Sequence, residues 1–97
     1  MELKIKEKQV NGKKVSGIIT ENLKVITPFI FETINKSGNF YICTMEDGRQ
    51  SVYNSKGTCL LSYEEEYKDL KELKISMRNC GYFYGTKEEK VGILRLS

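Results

Sequence analysis

Leu3-Lys4-Ile5-Lys6-Glu7-Lys8-Gln9-Val10-Asn11-Gly12-Lys13-Lys14-Val15-Ser16-Gly17-Ile18-Ile19-Thr20 is a β-hairpin written in residues. Its first half alternates Leu3, Ile5, Glu7 and Gln9 with lysines at 4, 6 and 8, the period of a strand whose successive side chains point to opposite faces. Asn11-Gly12 then supplies the strongest short hairpin turn, because both residues accept the positive φ that a type I′ turn demands. If those two residues form the turn, Val10 faces Lys13 and the whole register follows. Lys4, Lys6, Lys8 and Lys13 then share one face, and Leu3, Ile5 and Ile18 share the other.

Turn signals recur downstream. Glu21-Asn22 opens onto an expected third strand over Lys24 to Phe31, with Pro28 marking an edge, bulge or strand end because proline cannot donate to a ladder. Asn35 to Asn39 reads as a loop. Phe40 to Thr44 and Arg49 to Tyr53 are strands around Asp47-Gly48, and Asn54-Ser55-Lys56-Gly57 turns the chain into Thr58 to Leu61. The 62–72 stretch breaks the pattern. Ser62 with Glu65 is a capping box, and Tyr67, Leu70 and Leu73 recur every third residue, which predicts one short helix. Leu73 to Met77 reads as extended chain. Tyr82 to Tyr84 and Val91 to Leu96 close the chain as strands.

The expected fold is therefore mainly β: one small domain over residues 1–97, built of seven to nine short strands as consecutive antiparallel hairpins, with a helix at about 62–72. The chain of 97 residues, 39% hydrophobic and 30% charged, fits a single modest core. No apolar run approaches the roughly 20 residues of a membrane-spanning helix, and the amino terminus lacks the apolar stretch of a signal peptide. Cys43, Cys59 and Cys80 include no close pair, so a reducing, cytoplasmic setting is expected.

Three segments share a layout: Ser16-Gly17-Ile18-Ile19-Thr20, Gln50-Ser51-Val52-Tyr53-Asn54 and Val91-Gly92-Ile93-Leu94-Arg95. Leu23 to Pro28 parallels Gly57 to Ser62, and Phe31 to Ile34 parallels Tyr67 to Leu70 with two extra residues. A small residue before two apolar ones, a polar turn, a short apolar strand and a Tyr-Asp-x-Ile-like end resemble the WG repeat. On that resemblance the chain carries two to two-and-a-half repeats, in segments 15–34, 50–70 and 91–97. The resemblance implies tandem β-rich units used for ligand or protein interaction rather than catalysis. It departs from the family at the naming tryptophan, whose place Ser16, Gln50 and Val91 take, so no binding residue is carried over.

Histidine is absent. That removes the commonest general base, the Ser-His and Cys-His nucleophile pairs and imidazole metal ligation. The cysteines lack the short clip of a zinc site, the glycines sit singly rather than in a phosphate loop, and Glu64 to Glu66 point in different directions around a helix. No catalytic, cofactor or metal site is expected.

Two surfaces carry binding potential. The net charge of +3 is unevenly spread: residues 1–24 hold six lysines against three glutamates, whereas residues 64–72 hold five acids against two lysines. The ladder of Lys4, Lys6, Lys8 and Lys13 could meet phosphates or an acidic protein, although lysines on a terminal strand also serve to block edge-to-edge pairing, and no aromatic is expected among these lysines to stack bases. The second surface joins Tyr82, Tyr84 and Arg78 with Tyr41 and Tyr53, residue types enriched where proteins grip one another. If Phe83 is buried, Tyr82 and Tyr84 must point outward. The expected function is a non-enzymatic protein-interaction module, with a homodimer through a strand edge or the Tyr82/Tyr84 face as one form. The alternatives are a small inhibitor of phage or mobile-element type that occupies a host protein's partner or nucleic-acid groove, and nucleic-acid binding by the lysine ladder.

Overall fold

The computed structural model describes residues 2–75 and 78–96, with side chains for 2–71 and 82–96. Among the described residues nine antiparallel strands form three sheets: β1 (Leu3–Val10) with β2 (Lys13–Thr20); β3 (Thr33–Ser37), β4 (Phe40–Thr44), β5 (Gln50–Asn54) and β6 (Cys59–Leu61); and β7 (Lys68–Ile75), β8 (Arg78–Lys87) and β9 (Lys90–Arg95). Strands follow chain order within each sheet, as consecutive hairpins require. The first hairpin has the register set by Asn11-Gly12, from Leu3 opposite Thr20 to Val10 opposite Lys13. Both turn residues have positive φ.

The sheets stack as layers. The middle sheet is covered on both faces, because two core clusters lie on opposite sides of it. Ile34, Tyr41 and Cys43 pack with Ile18 and Phe31 on the first hairpin's side. Phe40, Ile42 and Val52 pack with Leu70, Phe83 and Leu96 on the other. Phe40 and Phe83 meet edge-to-face, ring centroids 5.1 Å apart, the arrangement the ring quadrupoles favour.

Three expectations are corrected. The helix over 62–72 is a single 3₁₀ turn at Tyr63–Glu65, and residues from Lys68 on belong to β7. Ser62 does cap it, its Oγ accepting from the Glu64 N–H at 3.2 Å, but Glu66 adopts a left-handed φ of 62° and ends the turn. The loop over residues 35–39 is half strand: β3 runs to Ser37. The strand over Lys24 to Phe31 is an irregular strap, held to β2 by isolated bridges at Ile19–Val25 and Ser16–Phe31. Between those bridges residues 26–30 of the strap face only residues 17 and 18 of β2, so the excess loops outward around Pro28. Thr27 repairs the ladder there. Its buried Oγ1 accepts from the Ile18 N–H at 2.9 Å.

The strap and β6 make the same bonds 34 residues apart. Thr20 N–H donates to the Lys24 carbonyl and Asn54 N–H to that of Thr58; Leu23 N–H donates to Thr20 and Gly57 N–H to Asn54. The bridge Ile19–Val25 matches Tyr53–Cys59. The Thr20 hydroxyl and the Asn54 amide oxygen accept from the amides of Lys24 and Thr58. Leu23 and Gly57 both take positive φ, 64° and 87°. Only glycine does so freely, and Leu23 is exposed. Leu23→Gly is therefore expected to stabilise the chain by about 1 kcal/mol, raising Tm by roughly 4–8 °C in a thermal melt.

Candidate protein-binding face

The third sheet buries one face and exposes the other. Phe83 is fully buried, and Leu94 and Leu96 pack beside it against the middle sheet. Side-chain alternation then drives Tyr82, Tyr84 and Thr86 of β8, with Val91, Ile93 and Arg95 of β9, to the outer face. There Tyr82 stands opposite Arg95, Tyr84 opposite Ile93, and Thr86 opposite Val91. The two tyrosines are half-buried, whereas Val91 and Ile93 are 72% and 70% exposed. The Arg95 guanidinium lies 5.7 Å from the Tyr82 ring centroid, and Lys71 stands opposite Tyr84. This is a surface of aromatic rings and branched aliphatics bordered by cations.

The same pairs occur in the middle sheet, where they are covered. Phe40 stands opposite Asn54, Ile42 opposite Val52 and Thr44 opposite Gln50, the counterparts of the three pairs on β8 and β9. Phe40, Ile42 and Val52 are buried beneath the third sheet. Tyr82, Tyr84 and Ile93 hold the corresponding positions with no layer above them among the described residues.

The expected aromatic cluster is divided. Tyr41 and Tyr53 are paired on β4 and β5, but they face the first hairpin, on the far side of the middle sheet from Tyr82 and Tyr84. Tyr41 is 7% exposed and belongs to the core. Burial, and then the neighbouring Cys59, holds the Tyr53 hydroxyl above its ordinary range. Burial likewise pushes the Cys43 thiol up to about 12, which leaves it an inert core group. Neither tyrosine can join the outer face, because strand parity sends residues 41 and 53 away from it. The backbone of Arg78 pairs with Ile75 at the far end of the β7–β8 hairpin; its side chain lies outside the described residues.

Lys4, Lys6 and Lys8 share the outer face of the first hairpin with Lys13, as the register requires, and all four are exposed. Lys13 is already engaged, its Nζ 3.0 Å from Glu46 Oε2. An aromatic does stand among these lysines, contrary to expectation. The outward loop of the strap lays Phe29 over Gly17, whose missing Cβ would come within 3.0 Å of the ring. The Lys8 ammonium sits 4.5 Å from the centroid of that ring. Phe29 thus closes the face on the strand it covers, and its cation-facing side is taken. This end of the stack is rich in lysine, with Phe29 laid over Gly17 and with Val10 and Val25 exposed beside the charges.

Val91, Ile93, Lys71 and Phe29 were not singled out by sequence reasoning. Val91-Gly92-Ile93-Leu94-Arg95-Leu96 is apolar at both parities, so only the packed fold decides which set faces out. Phe29 reaches the lysines from a separate segment.

No family model matches the chain, and neither a curated protein nor a solved structure matches it. No group of three potential metal ligands occurs among the described residues, and no helix among them is long and apolar enough to cross a membrane.

Proposed function

We propose that this chain is a non-enzymatic protein-interaction module, and that its binding surface is the outer face of β8 and β9. The observation that carries this reading is the exposure of Val91 and Ile93 beside Tyr82 and Tyr84, at positions whose counterparts in the middle sheet lie under another layer. The tandem layout fits a short stack of WG-like units, and stacked-repeat proteins normally close their ends with polar faces. The lysine face meets that need at one end. The aromatic face at the other does not, and contiguous exposed apolar surface marks interaction sites.

Charge selects the partner. Lys71 stands in register with Tyr84 and Arg95 with Tyr82, and among the described residues no carboxylate is paired onto this face. Two copies meeting face to face would oppose like charges, and so would stacking on the lysine face of another copy. The fitting partner is another protein with an apolar centre and an acidic rim. Tyr and Arg at the centre of such a patch are the residues that carry binding energy.

The test is affinity capture with the intact chain and with a Tyr84→Ala/Ile93→Ala variant. The variant should retain its cooperative melt and lose at least tenfold in captured partner. Undiminished capture by this variant, with loss instead in Lys4/Lys6/Lys8→Glu and steep salt dependence, would move binding to the basic face and to nucleic acid.

A further inference from the structure

We infer that the outer face of the first hairpin binds single-stranded nucleic acid, with phosphates along Lys4, Lys6 and Lys8 and a base on Phe29. This goes beyond the protein-binding reading and concerns the opposite end of the stack.

The face is divided into two lanes. Lys4, Lys6 and Lys8 run along β1, all exposed. Strand geometry sets neighbours in this row about 6.6–6.8 Å apart, a period that suits successive phosphates of an extended strand. On the far side of β2 the strap supplies apolar groups. Val25 stands opposite Ile19, and Ile19 opposite Lys4. Phe29 lies over Gly17, and Gly17 stands opposite Lys6. The strap is two strand spacings from β1, about 9–10 Å, a distance that one nucleotide spans from phosphate to base.

The cations are available. Lys13 and Lys14 form ion pairs with Glu46 and Glu7, whereas among the described residues Lys4 and Lys6 form none. Glu7, the one acidic residue of β1 and β2, has the parity of the inner face and does not enter the ladder. The Lys8 ammonium rests 4.5 Å from the centroid of the Phe29 ring. A phosphate offers that ammonium a charged acceptor, and the ring face it leaves is then open to a base. Stacking of a base on an aromatic ring is worth more than an exposed cation–π contact, so the exchange favours the bound state. Every base has a π-face, so the site tolerates sequence.

A duplex fits this face poorly. Its bases are stacked on one another, and a flat pair of strands with a strap alongside offers nothing that enters a groove. A lipid surface fits poorly as well, because Phe29 lies on Gly17 beneath the Lys8 ammonium rather than projecting past the lysines.

The test titrates the full chain with a twelve-nucleotide oligothymidylate, the matching oligouridylate, an abasic strand of the same phosphate count, and vesicles of phosphatidylserine with phosphatidylcholine. Both oligonucleotides should bind with Kd no weaker than about 10⁻⁴ M at 50 mM salt. Three phosphate contacts on a single strand should cost roughly twentyfold in affinity between 50 and 200 mM salt. The Lys4→Gln/Lys6→Gln/Lys8→Gln variant should keep its thermal melt and bind at least tenfold more weakly. Phe29→Leu, which keeps an apolar cover on Gly17, should lose at least threefold for oligothymidylate and nothing for the abasic strand. By NMR the Phe29 ring protons of the unaltered chain should move upfield with oligothymidylate and not with the abasic strand. Absence of oligonucleotide binding at 50 mM salt would overturn the inference, as would full binding by the triple lysine variant. Equal affinity for the abasic strand with unmoved Phe29 resonances would reduce the face to a general polyanion site and overturn the assignment. Binding to the vesicles without binding to either oligonucleotide would overturn it in favour of lipid.

Discussion

Phe83→Ala should destabilise the chain by about 3–5 kcal/mol, the usual cost of removing a buried phenylalanine and leaving its cavity. Phe83 has no exposed surface, and its ring sits against Phe40 between the middle and third sheets. Domains of this size are stable by only about 5–15 kcal/mol, so the variant should melt about 12 °C lower or more. Tyr84→Ala, one residue along the same strand, should cost no more than about 1 kcal/mol. Its ring contributes a cross-strand pair with Ile93 rather than core volume. Equal losses in the two variants would mean that both faces of β8 are core, and the proposed binding surface would not exist.

Thr27→Val is the second large effect, at about 1–3 kcal/mol. Valine keeps the shape of the side chain and deletes the hydroxyl, so the buried Ile18 N–H loses the acceptor it has at 2.9 Å. The same hydroxyl lies 3.2 Å from the Pro28 carbonyl, to which it donates. Thr27→Ser retains both bonds and loses one buried methyl, about 1 kcal/mol. Chemical denaturation should rank the variants Thr27, Ser, Val in falling stability, with faster exchange of the Ile18 amide in valine alone. A valine variant as stable as the parent would show that the strap is not anchored through this side chain.

The parts of this fold that sequence makes legible are those decided by neighbouring residues. Asn11-Gly12 sets the register of β1 and β2 because positive φ at two adjacent positions leaves one way to fold back. Lysine parity on that hairpin follows at once. The 62–72 segment misleads for an equally physical reason. Tyr67 and Leu70 are three apart, as on a helix, yet both pack into one core cluster from an extended chain. The pairing of β7 with β8 slips between Lys68 and Lys71, where Asp69 has a φ of 55°. A bulge adds a residue to a strand and shifts its parity, so a spacing of three can keep two side chains on one face. The Ser62 cap is real but closes only one turn.

The candidate site was half legible. Tyr82 and Tyr84 follow from three consecutive aromatics, since Phe83 can be buried only by turning its neighbours out. Tyr41 and Tyr53 looked like their partners because aromatic residues on adjacent strands do cluster. Which side of a two-sided sheet they face depends on how three layers stack, and that is long-range information. The same holds for Val91 and Ile93, whose exposure needs the burial of Leu94 and Leu96 to be known first.

Thiol labelling at two corresponding positions tests the open end of the stack most directly. In a chain with its three native cysteines replaced, Val52→Cys and Ile93→Cys place one thiol each at counterparts on β5 and β9. The Ile93→Cys thiol should react with a maleimide at close to the rate of a free peptide, and the Val52→Cys thiol at least about a thousandfold more slowly, limited by unfolding. Comparable protection of both thiols would mean that the outer face of the third sheet is already covered, and would contradict the account.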